Sequence, residues 1–146
     1  MPTNALLLSI QSKYADKIFS GKKRVELRRV RPRLKRGDMV FVYVPSPQKA
    51  LVGAFEVKRV IEGIPQFFWK DVKEDAGITL EEFQKYYSGR PLGFAIFLSK
   101  TWSFPRSVDL DSLRQVWPEF QPPQGYRYLT PAEANLIWNR ANGGSP

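Results

Sequence analysis

The richest run of reactive side chains is Gly21-Lys22-Lys23-Arg24-Val25-Glu26-Leu27-Arg28, which reads G-x-K-x-x-E-x-R. Gly suits the left-handed position that closes a helix. Lys23 then falls in a helix-to-strand turn, and residues 24–30 alternate as a strand does. Val25 and Leu27 face the core, while Arg24, Glu26 and Arg28 leave the opposite face. The result is a cation, a carboxylate and a second cation at a strand edge. An Arg forks onto a phosphate or a guanine, and a carboxylate accepts from the exocyclic amine of cytosine or adenine. Lys23 can contact a phosphate, or act as a base if burial lowers its pKa. A purely structural reading stands beside this one: Lys23 pairs with Glu26, and Glu26 with Arg28, to order the turn.

The chain of 146 residues contains no Cys and no His. That excludes a disulfide framework, a thiol nucleophile, a Cys/His zinc site, a histidine base and a haem histidine. Chemistry falls to Lys, Arg, Asp, Glu, Ser, Thr and Tyr. Ser9, Ser46 and Ser99 would each need a Lys as base, and no spacing selects one. Asp38 with Glu56-Val57-Lys58 carries a faint D…E-x-K pattern, too common by chance to define a metal nuclease. No metal or other cofactor is expected.

The net charge is +9, from 23 Lys and Arg against 14 Asp and Glu. Residues 13–36 hold 11 of the basic residues and 2 of the acidic ones, so this segment carries +9 and the remaining 12 and 12 cancel. Its cations alternate with Val25, Leu27, Val30 and Leu34, so they belong to folded chain. Such a segment attracts polyanions, although a solvated basic face kept for solubility has the same composition.

The elements that must position these residues are legible from apolar pattern and punctuation. Residues 5–10 read as a buried strand. Ser12 is placed as the cap of a helix over 13–20, ended by Gly21. Strands follow over 39–44 and 50–61, the second with a bulge or close approach at Gly53. Pro65 opens a helix through Val72, and Thr79 with Glu82 forms a capping box for a helix that Gly89 stops. A strand over 92–103, one or two helical turns from Asp109 to Val116, and a strand from Tyr126 to Leu129 come next. Thr130-Pro131 with Glu133 caps a last helix to about Ala141, and residues 143–146 read as a frayed tail. The hydrophobic fraction of 42% supports a sizeable core. Five or six strands and four or five short helices make an α+β domain over 1–142, with a closed or half-closed barrel. Ala5-Leu6-Leu7-Leu8 is too short to be a signal core or a membrane span, so a cytoplasmic protein without membrane attachment is expected.

The G-x-K-x-x-E-x-R core resembles the ASCH domains of the PUA-like superfamily. The likeness extends over about residues 5–130. Leu7-Leu8-Ser9-Ile10 with Tyr14-Ala15 and Ile18 is similar to the start of that domain. Gly37-Asp38 and Val52-Gly53-x-Phe55-x-Val57 are similar to its middle, and Pro122 to Leu129 to its closing loop and strand. The resemblance implies a PUA-like mixed β-barrel with flanking helices around a cleft. It also implies a role tied to nucleic acid, chiefly RNA: a transcriptional or translational regulator, a ribonuclease, or a hydrolase of an acetylated cytosine nucleoside. The hydrolases use Lys, Thr and Glu. Lys23 matches the Lys, but Glu26 stands where the Thr belongs, and no carboxylate of Lys73-Glu74-Asp75-Ala76 falls squarely on the Glu position. That departure argues against amidohydrolase chemistry.

The expected partner is RNA or another single-stranded nucleic acid, or a nucleotide; the protein partner is unknown, and a non-catalytic module serving a partner protein stands as a third alternative. The candidate binding residues are Lys13, Lys17, Lys23, Arg24, Glu26, Arg28, Gln124, Tyr126 and Arg127. Tyr14, Trp102, Tyr126 and Tyr128 are the aromatics considered for stacking on a base, Tyr126 first because it follows a Pro-Pro-Gln-Gly loop. If the protein is an enzyme, a metal-independent ribonuclease would use Lys23 with Glu26 or Tyr14.

Overall fold

The computed structural model describes residues 4–142, so the 143–146 tail lies outside it. The order is β1 (Ala5–Ser9), α1 (Ser12–Phe19), β2 (Val25–Arg28), β3 (Met39–Val44), β4 (Ala50–Gly63), α2 (Pro65–Val72), α3 (Leu80–Tyr86), β5 (Gly93–Asp109), α4 (Leu110–Val116), β6 (Tyr126–Leu129) and α5 (Pro131–Ala141). The strands form one six-stranded sheet in the order β2-β5-β4-β3-β1-β6. β1 runs parallel to β3, and the other pairings are antiparallel. The sheet curls into a half-barrel, and β2 and β6 remain its two edges.

Alternation along the central strands explains how the layers form. Leu6 and Leu8 of β1, Val40, Val42 and Val44 of β3, and Phe55 and Val57 of β4 pack with Ala15 and Ile18 of α1 on one face of the sheet. Leu7, Phe41 and Tyr43 face the other way, where Leu113 of α4 and Ile137 of α5 cover them. β1 is therefore apolar on both faces, as a strand covered on both sides must be. A third cluster sets Val25 and Leu27 of β2 against Phe68, Val72 and Phe83 of α2 and α3.

Several local expectations meet their structural counterparts directly. Thr79 with Glu82 and Thr130 with Glu133 each form both bonds of a capping box. Gly21 adopts φ +85° after α1. Gly53 is a close approach: a Cβ there would lie 2.5 Å from both the Phe19 ring and the Trp102 carbonyl oxygen. Other boundaries move. Ser12 is the first residue of α1 rather than its cap, because Gln11 holds the cap position without a side-chain bond. β2 stops at Arg28 rather than residue 30, since only Val25 to Arg28 find partners on β5.

β4 and β5 run longer than the pattern shows, to Gly63 and Asp109. Irregular pairings let them continue past breaks in alternation. β5 carries residues 104–107, including Pro105, against Val52 alone. A proline is tolerated in such a bulge because no ladder bond is required of it.

Candidate nucleic-acid interface

A cleft of about 370 Å3 opens where the C-terminal end of β1, the start of α1, β2 and α3 meet. Its lining includes Tyr14, Lys23, Glu26, Arg28, Arg29, Glu82, Tyr86 and Gln124. Among the described residues only three polar or charged side chains are buried, and two of them are Lys23 and Glu26. The third, Asp38, is a turn residue whose carboxylate accepts from the backbone N–H groups of Asn4 and Lys35.

Lys23, Glu26 and Arg28 form a string. The Lys23 ammonium lies 3.8 Å from Glu26 Oε1, and Arg28 donates to Glu26 Oε2 at 3.3 Å. The pairing of the purely structural reading is thus present, and it lies inside a cavity. One carboxylate between two cations leaves the string with an excess positive charge that faces the cleft. Burial holds the Lys23 ammonium below its ordinary pKa; Glu26 opposes that shift, and Lys17 adds to it.

The loop between α2 and α3 fixes this arrangement through its backbone. The Asp75 carbonyl accepts from the N–H groups of Arg24 and Val25, at 2.7 and 3.1 Å. The Ala76 carbonyl accepts from Lys23 Nζ, and the Gly77 carbonyl from Lys17 Nζ at 2.8 Å. Gly77 has φ +67°, and a Cβ there would stand 3.0 Å from Lys23 Cβ. The Lys73–Ala76 stretch, where the resemblance places a hydrolase carboxylate, supplies a carbonyl oxygen to Lys23 instead.

Aromatic rings line the same space. Lys23 Nζ lies 5.4 Å from the centre of the Tyr14 ring. Arg29 sits over Tyr86 at 4.6 Å, and the Tyr86 hydroxyl donates to the Leu27 carbonyl at 3.1 Å. Burial raises the Tyr86 phenol, which Arg28 partly counteracts. Lys13 stands at the rim, 3.8 Å from Glu82 and 4.9 Å from the Tyr14 ring. The Thr79 backbone holds the Glu82 carboxyl below its usual value. Gln124 lies at the mouth. Its loop is tied to β1 by Ser9, whose hydroxyl donates to the Pro123 carbonyl at 2.6 Å and whose N–H bonds to the Gly125 carbonyl.

Not every sequence candidate comes here. Alternation places Arg24 on the Glu26 face, but it precedes β2 and turns to a different groove, with Arg36, Lys58 and Lys100. Arg127 is held by Glu133 at 3.2 Å and lies over the Trp117 ring. Tyr126 packs against the cluster of Leu6, Leu8 and Ile18, and Trp102 packs on Trp138. The Tyr128 hydroxyl accepts from the Arg33 N–H at 2.7 Å, so this ring anchors the basic loop. Conversely, Arg29, Glu82 and Tyr86 line the cleft although no motif marks them as ligand contacts. Glu82 and Tyr86 are four apart on a helix whose capping box is readable, which puts them on one face. What that face meets is a tertiary matter with no local signal.

A curled mixed sheet with helices on both sides is the architecture of the PUA-like class. The ASCH domain family model matches residues 8–100, and the chain belongs to that family. An "ASCH domain-containing ribonuclease" of Zymomonas mobilis is 28% identical over 131 residues, covering 90% of this chain and 88% of the relative. The crystal structure of ASCH from Zymomonas mobilis superposes with TM-score 0.86 at 25% identity, over 92% of this chain and 94% of that one. A large ribosomal subunit protein uL22 of Ureaplasma parvum is 27% identical over 128 residues, which are 87% of this chain and 40% of the relative. No helix among the described residues is long and apolar enough to cross a membrane.

Proposed function

We propose that this protein binds RNA, taking an unstacked base into the Tyr14–Lys23–Glu26–Arg28 cleft and setting phosphates against the basic segment 13–36. The observation that carries the reading is the burial of Lys23 and Glu26 at one cleft wall, beside Arg28 and two aromatic rings. Charged groups kept from water at the wall of an open cleft are poised for a polar ligand. Glu26 offers acceptor oxygens to an exocyclic amine, Arg28 and Arg29 offer forked donors to phosphate, and the Tyr14 ring offers a stacking face. The ribonuclease name of the Zymomonas relative supports RNA as the partner.

A second reading, metal-independent RNA cleavage, is favoured by the lowered pKa of Lys23 in that same cleft. RNA supplies its own nucleophile. In this chemistry a base removes the 2′-OH proton, and O2′ attacks phosphorus. The 5′ oxygen leaves with a proton, and a 2′,3′-cyclic phosphate remains. Lys23 would serve as base or as the cation that stabilises the extra phosphoryl charge, with Glu26 or Tyr14 moving protons.

One experiment separates the two. The protein and its Lys23→Ala variant are mixed with labelled single-stranded and duplex RNA and DNA, at two salt levels and with EDTA. Each sample is run on native and denaturing gels. Binding appears as a salt-sensitive native shift with intact RNA on the denaturing gel. Cleavage in EDTA that disappears in Lys23→Ala establishes the second reading. No shift and no product on any nucleic acid removes both.

A further inference from the structure

Beyond the cleft lies a second charged groove. It measures about 410 Å3 and is lined by Arg24, Arg36, Lys58 and Lys100, with Glu56 the single carboxylate. Two of these cations come from segment 13–36. The other two come from the part of the chain whose charges cancel in the sequence, so the fold has assembled this groove from both.

The local backbone explains why these side chains converge. Glu56 pairs with Lys100, Val57 with Leu98, and Arg59 with Phe97. Ser99 on β5 and Lys58 on β4 are therefore each skipped by the ladder. Two offset bulges at one spot turn the strands and re-aim side chains, and bulges are retained where such re-aiming has a use. The Gly37 N–H bonds to the Val57 carbonyl at 2.9 Å, which brings Arg36 to the groove. The Arg24 carbonyl accepts from the Leu98 N–H at 3.0 Å, which brings Arg24.

The groove's one carboxylate is outnumbered four to one by these cations and pairs with none of them. Glu56 is engaged by the Ser99 hydroxyl at 2.8 Å. None of Arg24, Arg36, Lys58 and Lys100 forms an ion pair among the described residues. By contrast Arg31, also exposed, is paired with Glu62 at 3.1 Å.

The groove also adjoins the cleft through shared lining residues. A small hollow of about 60 Å3 lies between them; it shares Lys23 with the cleft and Arg24, Leu98 and Ser99 with the groove. We infer that the groove binds the sugar–phosphate backbone of the same single nucleic-acid strand whose base enters the cleft, the strand passing over the Lys23–Arg24 turn. This rests on the binding reading above and adds the path and minimum length of the ligand. A lone nucleotide fills the cleft only. A strand of several nucleotides engages both sites and gains affinity without any new base contact.

The test compares a trinucleotide with a single-stranded RNA of about twelve nucleotides, long enough to span sites of this kind. Four proteins are used: wild type, Lys58→Glu/Lys100→Glu, Lys70→Glu/Arg106→Glu as a control of equal net charge on exposed residues outside both sites, and Arg28→Ala in the cleft. The groove pair should weaken the long strand by about tenfold more than the control does, and flatten its log K against log salt slope by roughly 0.7 for each phosphate that the protein no longer neutralises. The trinucleotide should distinguish groove pair from control by less than about twofold, because it never reaches the groove. Equal losses for groove pair and control, or equal losses for both ligands, overturn the inference and leave the cleft reading standing. If Arg28→Ala leaves the long strand bound while the groove pair abolishes binding, the cleft reading fails, and the continuous path with it. If wild type binds neither ligand, both proposals fall.

Discussion

The cleft and the bulge groove use the same residue types to different ends. Lys23 is 3% exposed and held by a backbone carbonyl, a carboxylate and an aromatic ring. Lys58 and Lys100 are exposed and unpaired among the described residues. A buried charge is costly to strand and barely screened, so it acts on shape, orientation and pKa. An exposed charge is cheap to remove and strongly screened, so it acts on affinity for a polyanion through counterion release. The contrast separates recognition from attraction. It also means that net charge, to which both kinds of lysine contribute equally, says little about which lysine matters for what.

The largest expected effect comes from Lys23→Ala. It leaves Glu26 buried with only Arg28, and loss of one member of a buried pair costs about 3 kcal/mol of stability. Urea denaturation reads this directly. Lys58→Ala should change the urea midpoint little, since exposed substitutions mostly fall within about 0.5 kcal/mol. If both substitutions cost the same, the contrast between the two regions is wrong.

Tyr14→Ala should come next, in binding rather than stability. Removing a base-stacking ring costs about 1–3 kcal/mol per base, measured as trinucleotide affinity by fluorescence titration. Tyr14→Phe should retain most of that affinity. A Phe variant as weak as the Ala variant would instead assign the contribution to the hydroxyl.

Gly77→Ala probes how the cleft is held. Alanine at φ +67° strains the backbone by about 1–2 kcal/mol, and its Cβ crowds Lys23 Cβ at 3.0 Å. A lower melting temperature together with weaker trinucleotide binding is expected, with the groove's salt response preserved. Unchanged trinucleotide binding would show that the α2–α3 loop does not position Lys23.

The smallest effect is in pH. The folded pKa of Lys23 lies below the 10.5 of an exposed lysine. Between those two values the unfolded chain binds more protons than the folded one, so stability rises with pH. The ammonium's desolvation penalty is present in full at neutral pH and is relieved as pH climbs through the folded pKa toward 10.5. Wild type should therefore gain stability relative to Lys23→Met, read as the urea midpoint, as pH rises through the alkaline range. Parallel curves would show that Lys23 is not desolvated.

Much of the frame is legible in the sequence because it depends on local signals. Both Thr-x-x-Glu boxes, Gly21 and Gly53 announce themselves by residue type and spacing. The G-x-K-x-x-E-x-R run is legible for the same reason, and it supplies the buried pair. What cannot be read is long-range. Arg24 sits one residue before a strand, so alternation assigns it to the Glu26 face, yet the backbone bond from Leu98 draws it to the other side. Tyr86 reaches the cleft only because α3 packs on β2. The lengths of β4 and β5 depend on bulges that interrupt alternation instead of following it. Tyr126 and Arg127 look free beside a Pro-Gly loop, but the core and Glu133 hold them.

The most direct test is a titration of isotope-labelled protein with the short single-stranded RNA, followed through backbone amide resonances. The expected result is a set of saturable shifts at residues 9–14, 23–29, 77–86 and 124, the elements around Lys23, Glu26 and Arg28. The longer strand should add shifts at 36–37, 56–58 and 98–100. Shifts that spare residues 23–29 while saturating elsewhere would contradict the claim that the buried Lys23–Glu26–Arg28 string is where this protein meets its ligand.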